Sequence, residues 1–283
     1  MKDRIKAYYA EFGEREWNRL LNPTDGAVEF AVNRRAISRY LPTSLDSAQP
    51  LRILDIGGGP GRYSFWLVEQ GHKVTLADLS PDLLKIARAK SDESHTQLEA
   101  VVEADACDLS AWPTGYFDAV LSLGPFYHLP DAADRDRAAG ELGRVLRPGG
   151  VAFVALMPRY TFLRRTIAIG DERQHLLDAD FLREALEQGA FYNDIPGRFT
   201  EGYGAHPAEI EPYFARFGLE QVTLLASEGI AVGIQEAVAQ IADTAPALYE
   251  RVIDLILETA TDPSILGLCS HLLYVGQKTD ISS

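Results

Sequence analysis

The segment that most constrains this chain is Leu51-Arg-Ile-Leu-Asp-Ile-Gly-Gly-Gly-Pro-Gly61, where three consecutive glycines and a fourth after Pro60 follow an apolar, strand-like run. Glycine takes positive φ without steric cost and lets another molecule approach the main chain. A helix that starts just after such a turn offers unpaired N–H groups. Strand, glycine turn and helix in that order make the first unit of a βα fold. The rhythm continues, with strands predicted at Arg52–Ile56, 73–77, 98–104, 117–121 and 151–156. Helices are predicted at 63–70, 81–89 and Ala132–Val145, the last ended by Arg147-Pro-Gly-Gly150. Alternation of this kind predicts the α/β class, a doubly wound, mostly parallel sheet.

The rest of the chain decorates that core. Residues 1–40 read as an N-terminal helical cap carrying Tyr8, Tyr9, Phe12 and Trp17, broken at 22–26 before a helix at Ala27–Tyr40. Residues 41–50 are polar and proline-bounded, a linker into the core at 51–158. The rhythm fails over 159–204, a length that calls for a lid rather than a plain connection. It returns over 205–228 with a helix opening at His206 and a strand at 219–225. A helical insertion interrupted at Pro246 follows at 229–263, and a last strand, 271–276, lies in the segment 264–283. The expected architecture is a seven-stranded sheet with the helical cap and helical insertions.

Composition narrows the function classes. With 46% hydrophobic and 24% charged residues, the 283-residue chain has material for a sizeable core and is not intrinsically disordered. Its 41 acidic against 27 basic residues give a net charge of −14, which repels phosphate backbones and anionic membrane surfaces, so neither nucleic acid nor membrane is expected as a partner. Cys107 and Cys269 are far apart and lack metal-ligand spacing, so no disulfide framework and no metal site is expected, and a reducing cytoplasm fits. The N-terminus is too charged for a signal peptide, and no apolar run approaches the ~20 residues that span a bilayer.

Two carboxylates give the glycine turn a partner. Asp78 ends the second strand, where a carboxylate accepts from both hydroxyls of a ribose, and Asp105, after the third, can accept from an exocyclic adenine amine. Together they describe an adenosine site. Here the sequence resembles the class I S-adenosylmethionine-dependent methyltransferases. Leu-Asp-Ile-Gly-Gly-Gly-Pro-Gly61 resembles the family's first motif, Val-Thr-Leu-Ala-Asp78-Leu-Ser its ribose-binding strand, and Ala-Asp105-Ala its adenine-side segment. Phe117-Asp-Ala-Val-Leu resembles its fourth strand and Leu146-Arg-Pro-Gly-Gly150 the turn before its fifth. The resemblance implies S-adenosylmethionine as cofactor, with main-chain contacts at Gly57, Gly59 and Gly61 to its methionine part. It further implies Asp78 and Leu79 at the ribose, Asp105 and Ala106 around adenine, and Leu123 beside the cofactor. Asp55, at the base of the turn, would organise the loop or receive the amino group through water. The helical insertion at 229–263 departs from the family's usual short hairpin. A nicotinamide-dependent reductase is the rival on this architecture, but its G-x-G-x-x-G spacing fails. Counting from Gly57 puts Arg62 in the third glycine position, and counting from Gly59 puts Ser64 there. A non-catalytic nucleotide- or partner-binding module, associating through its aromatic helices into a homodimer, is the alternative from another class.

Ligands of doubly wound sheets lie beyond the strands' carboxyl ends, so Ser122-Leu-Gly-Pro-Phe-Tyr-His128 faces the reaction space. Methyl transfer is an in-line displacement that alignment and exclusion of water can carry without a metal. If the acceptor carries a proton, His128 is the candidate base and Tyr127 its catalytic neighbour. His175 and His206 read as structural or exposed. The aromatic supply in the cap and in 159–204 favours a small organic acceptor, with Tyr9, Trp17, Tyr160 and Tyr203 as candidate walls and Arg19 and Arg159 as candidates for an anionic group.

Overall fold

A computed structural model describes residues 2–22, 26–42, 49–94 and 96–279. Five parallel strands, β1 (Arg52–Ile56), β2 (Lys73–Asp78), β3 (Ala100–Glu103), β4 (Phe117–Ser122) and β5 (Leu146–Pro158), stand in the order β3-β2-β1-β4-β5. The order reverses between β1 and β4, which opens a crevice at their carboxyl ends. Near-continuous apolar runs in β1 and β4 are buried on both faces, as a sheet covered by helices on each side requires.

Beyond β5 the sheet turns antiparallel. The C-terminal strand β9 (Leu272–Lys278) pairs with β5 over Val151–Leu156 and on its other edge with β8 (Leu219–Ala226). These seven strands are the core that the sequence predicts. The segment 159–204 adds two more, which the sequence reading lacked: β6 (Ala190–Tyr192) and β7 (Glu201–Ala205) form a hairpin, and β7 joins the tip of β5 at Met157 and Pro158. They were illegible because they are short, and β7 alternates glycine with larger residues. At Gly202 a Cβ would lie 2.2 Å from the Phe162 ring, so the missing side chain is what lets the aromatic cluster close on the strand. That cluster, Phe162, Phe181, Phe191 and Phe199, is the insertion's own core, with Phe162 and Phe191 stacked at 4.6 Å.

The helices are α1 (Lys2–Phe12), α2 (Glu14–Arg19) and α3 (Ala27–Tyr40) in the cap, then α4 (Arg62–Glu69), α5 (Pro81–Ser94) and α6 (Ala132–Val145) between core strands. α7 (Thr161–Ala168) and α8 (Ala179–Arg183) lie in the first insertion. They are followed by α9 (Pro207–Ala215), α10 (Gln235–Thr244), α11 (Pro246–Thr259) and α12 (Pro263–Leu266). Gly13, at φ 52°, divides what the sequence reads as one helical stretch into α1 and α2. The second insertion folds against the cap: Val238, Ile253 and Ile256 pack on Val28 and Val32 of α3. The expected break at 22–26 and linker at 41–50 fall partly outside the described residues. No described helix is long and apolar enough to cross a membrane.

Candidate active site

At the crevice, Gly57, Gly59 and Gly61 have φ of 73°, 57° and 93°. Gly57 is the position where this matters most, because a Cβ there would come within 2.5 Å of Pro125. The loop is therefore moulded against the turn after β4. Asp55, near the end of β1, is buried, and Ser64 Oγ donates to its Oδ2 at 2.6 Å while Oδ1 has no partner among the described residues. Burial raises its pKa to about 7 against the Ser64 bond, with Asp78 adding to the rise. Asp78 accepts from Gly59 N–H and Ser80 N–H, each at 2.8 Å. Burial raises its pKa to about 6, against those two bonds. Asp105 accepts from the Cys107 N–H at 2.9 Å, and Ala106 beside it is buried.

A short 3-10 turn, Pro125–His128, follows β4. Tyr127 Oη donates to the Leu123 carbonyl at 3.1 Å, and burial raises its pKa. His128 Nε2 lies 2.7 Å from Tyr9 Oη, and its ring stacks on Phe199 at 4.6 Å. Burial pulls the His128 pKa down to about 4, with the Glu201 backbone opposing it, so the imidazole is neutral near pH 7.

One cavity joins these groups. It is lined by Asp55, Gly57, Gly59, Asp78, Leu79, Asp105, Ala106, Leu123, Tyr127 and His128 from the core, and by Tyr9, Glu16, Arg19 and Glu29 from the cap, whereas Gly61, expected beside them, faces Leu76 and Phe65 and does not line it. The sequence reading named all of the core group, together with Tyr9 and Arg19. It missed an alternating chain of charges under the cap. Arg19 donates to Glu16 at 2.9 Å and to Glu29 at 3.4 Å. His271 Nδ1 lies 3.5 Å from Glu29 and 2.8 Å from Glu228, and Glu228 also accepts from the Ser270 and His271 N–H groups, each at 3.0 Å. The one available signal was Glu29, a charge among the residues α3 buries.

Four expected acceptor contacts are corrected, since none lines the cavity. Arg159 is buried at the start of the first insertion, where its guanidinium donates to the Gly204 and Glu187 carbonyls at 2.9 and 3.0 Å and to Glu209 at 2.9 Å. Tyr160 is 46% exposed against His206. Tyr203 lies under Arg135 at 3.6 Å, on a separate hollow. Trp17 lies under Arg62 at 3.7 Å and accepts from it through its carbonyl, fastening α2 to α4. Aromatic content indicated chamber walls, but Tyr203 and Trp17 are taken up by arginine guanidinium groups and Tyr160 faces solvent.

Comparison with known proteins bears on this geometry. A family described as methyltransferase domain matches residues 54–154. Over 120 residues the chain is 38% identical to the ubiquinone biosynthesis O-methyltransferase of Xanthomonas oryzae pv. oryzae, covering 42% of this chain and 48% of that one, so it spans about half the length of this relative. The protein of the same description from Xanthomonas axonopodis pv. citri is 31% identical over 182 residues, 64% of this chain and 67% of that one. Among solved structures, an S-adenosylmethionine-dependent methyltransferase from Methanosarcina mazei shares the fold with a TM-score of 0.59 at 17% identity, covering 86% of this chain and 97% of that one. None of these matches favours the nicotinamide-dependent reductase.

Proposed function

The chain belongs to the class I S-adenosylmethionine-dependent methyltransferases, and from that premise we propose that it methylates an oxygen of a small organic acceptor bound under the cap. The observation that carries the proposal is the single cavity in which the glycine loop, Asp78 and Asp105 meet Tyr9 and His128. The description of the Xanthomonas relatives as O-methyltransferases supports oxygen over nitrogen or carbon as the nucleophile.

The residues fit the cofactor. The glycine loop is a cradle that a side chain at Gly57 would fill, and Asp55 Oδ1 is a buried acceptor still lacking a partner, suited to the cofactor's amino group through water. When bound, the cofactor supplies an electrophilic methyl carbon on a sulfonium. In this reading Asp78, with Leu79 beside it, accepts the ribose hydroxyls. Asp105 and Ala106 border the adenine, and Leu123, braced by Tyr127, sets the floor beside the sulfonium. The cap excludes water from the cavity, and His128 stands ready as the neutral base.

The charge of −14 supports a small acceptor over nucleic acid, and the buried thiols of Cys107 and Cys269, each donating to a main-chain carbonyl at 3.4 Å, support a cytoplasmic setting. The exposed Ile234, Leu248 and Leu255 of the second insertion support a homodimer, which sedimentation velocity tests. Calorimetry with S-adenosylhomocysteine, followed by a screen of metabolite pools with labelled methyl donor, tests the activity. Tight binding with one labelled acceptor is expected. Binding without transfer to any pool would favour a non-catalytic module.

A further inference from the structure

We propose that Tyr9 is a second catalytic residue, which takes the acceptor's proton on its phenol oxygen while passing its own proton to His128. The inference rests on the methyl-transfer reading above. Tyr9 belongs to the cap and His128 to the turn after β4, 119 positions apart in sequence, yet Oη and Nε2 meet at 2.7 Å and both residues line the cavity. Phe199 stacked on the imidazole at 4.6 Å fixes the ring plane, and Tyr9 meets it edge-on at 79°.

In a neutral histidine one ring nitrogen is a hydrogen-bond acceptor. With Nε2 in that role the Tyr9 hydroxyl donates to it, and the phenol oxygen keeps lone pairs for the hydrogen of an incoming hydroxyl. Burial raises the Tyr9 pKa well above its ordinary value, so a free tyrosinate does not accumulate and the two protons move together.

The atoms balance. The acceptor O–H bond breaks as a new H–Oη bond forms on Tyr9, and the original Oη–H bond breaks as His128 Nε2 gains its proton. The acceptor oxygen's electron pair forms the bond to the methyl carbon, and the pair of the methyl–sulfur bond stays on sulfur. The positive charge lost at the sulfonium reappears on the imidazole in the same cavity. The total charge of the cavity is unchanged by the step, so no charge has to be created in a poorly solvated space or expelled from it, and the charge that burial disfavours on His128 replaces one already there. His128 returns the proton to water once the products leave.

Tyr9→Phe in the full chain tests this, because it keeps the ring and removes only the hydroxyl. Three results are expected. In the ligand-free protein, 15N spectra should show Nε2 of His128 as a hydrogen-bonded acceptor, and the variant should lose that signature. With the acceptor found by the labelled-methyl screen, kcat should fall about 10²-fold or more, the range of general acid–base catalysis, while S-adenosylhomocysteine affinity stays within about twofold. The loss should shrink as the acceptor becomes more acidic. A protonated Nε2 in the wild type, an unchanged kcat, or a loss that follows cofactor affinity would overturn the relay and leave Tyr9 a latch. If the wild type neither binds S-adenosylhomocysteine nor makes product, the methyl-transfer reading itself fails.

Discussion

Asp78 fastens the glycine loop to the turn after β2: one carboxylate oxygen accepts the Gly59 N–H and the other the Ser80 N–H, each at 2.8 Å. The carboxylate is therefore held from two sides before any ligand arrives. A fixed acceptor loses little side-chain entropy on binding, which is the physical content of a preorganised subsite.

Removing this carboxylate should weaken the cofactor site specifically. Asp78→Ala is expected to cost about 1.5–3 kcal/mol of S-adenosylhomocysteine affinity, the worth of a hydrogen bond to a charged group. In the proposed site both ribose hydroxyls donate to the carboxylate, protonation turns one of its acceptor oxygens into a donor and removes the charge that strengthens both bonds, and burial has raised the Asp78 pKa to about 6. Affinity should therefore fall as pH drops through about 6 in the wild type, and this component should be missing in the variant. Calorimetry across that range checks both; unchanged affinity in a folded Asp78→Ala protein would remove Asp78 from the ribose.

Under the cap, His271 ties the sheet to α3 through Glu29 and to the start of the second insertion through Glu228. Burial alone would lower its pKa, but Glu29 and Glu228 outweigh that and raise it to about 9. A histidine whose folded pKa lies above its unfolded value near 6.5 contributes stability that is complete below about pH 6.5 and is lost as pH rises through about 9. Melting temperature should fall across that window in the wild type, and the fall should be smaller in His271→Gln. Glu228→Ala, which leaves the imidazolium buried with one carboxylate fewer, should cost about 3–5 kcal/mol. A wild-type melting temperature flat from pH 6.5 to 9 would show that the pair does not carry this stability.

Gly57 couples the glycine loop to the turn after β4. Its φ of 73° is strained for any L side chain, and a Cβ would come within 2.5 Å of Pro125, which opens the turn holding Tyr127 and His128. Gly57→Ala should therefore lower both S-adenosylhomocysteine affinity and turnover, whereas Gly71→Ala, also at positive φ but with nothing within 4 Å of the added carbon, should lower only stability. Equal effects of the two on affinity would show that the Pro125 contact is immaterial.

The core was legible because its signals are local. Glycines, apolar runs and the carboxylates Asp78 and Asp105 sit at strand ends that periodicity locates, and the cavity unites them. The charge chain from Glu16 to Glu228 was not, because its members come from α2, α3, the turn after β8 and the residue before β9, which only the fold brings within reach of one another. Arg159 misled for a related reason. A lone arginine in an aromatic segment reads as an anion site, but its planar fork is satisfied by carbonyls of the same insertion. Tyr9 was legible as an aromatic of the cap, but its hydrogen bond to His128 was not.

α1 closes one side of the cavity, and it is the part of the cap expected to open. α1 is held to the first insertion by Arg4 donating to the Asn193 carbonyl at 2.8 Å and by Tyr8 against Phe199 at 6.3 Å, to the turn after β4 by the Tyr9–His128 hydrogen bond at 2.7 Å, and to the sheet by the half-exposed Lys6–Glu103 pair. Exposed ion pairs contribute at most about 1 kcal/mol and a neutral hydrogen bond such as Tyr9–His128 about as much, so α1 is placed toward the low-stability end of the molecule. Since Tyr9, Glu16 and Arg19 line the cavity, ligands seated there gain contacts with α1 and α2 and favour the closed arrangement. Limited proteolysis should therefore cut α1, α2 and the segment 159–204 more slowly with S-adenosylhomocysteine and acceptor bound. Arg4→Ala should speed cutting of the free protein while leaving the fully liganded rate nearly unchanged. Cleavage rates that do not depend on ligand would show that the cap is a fixed wall, and product release would then have to proceed by another opening.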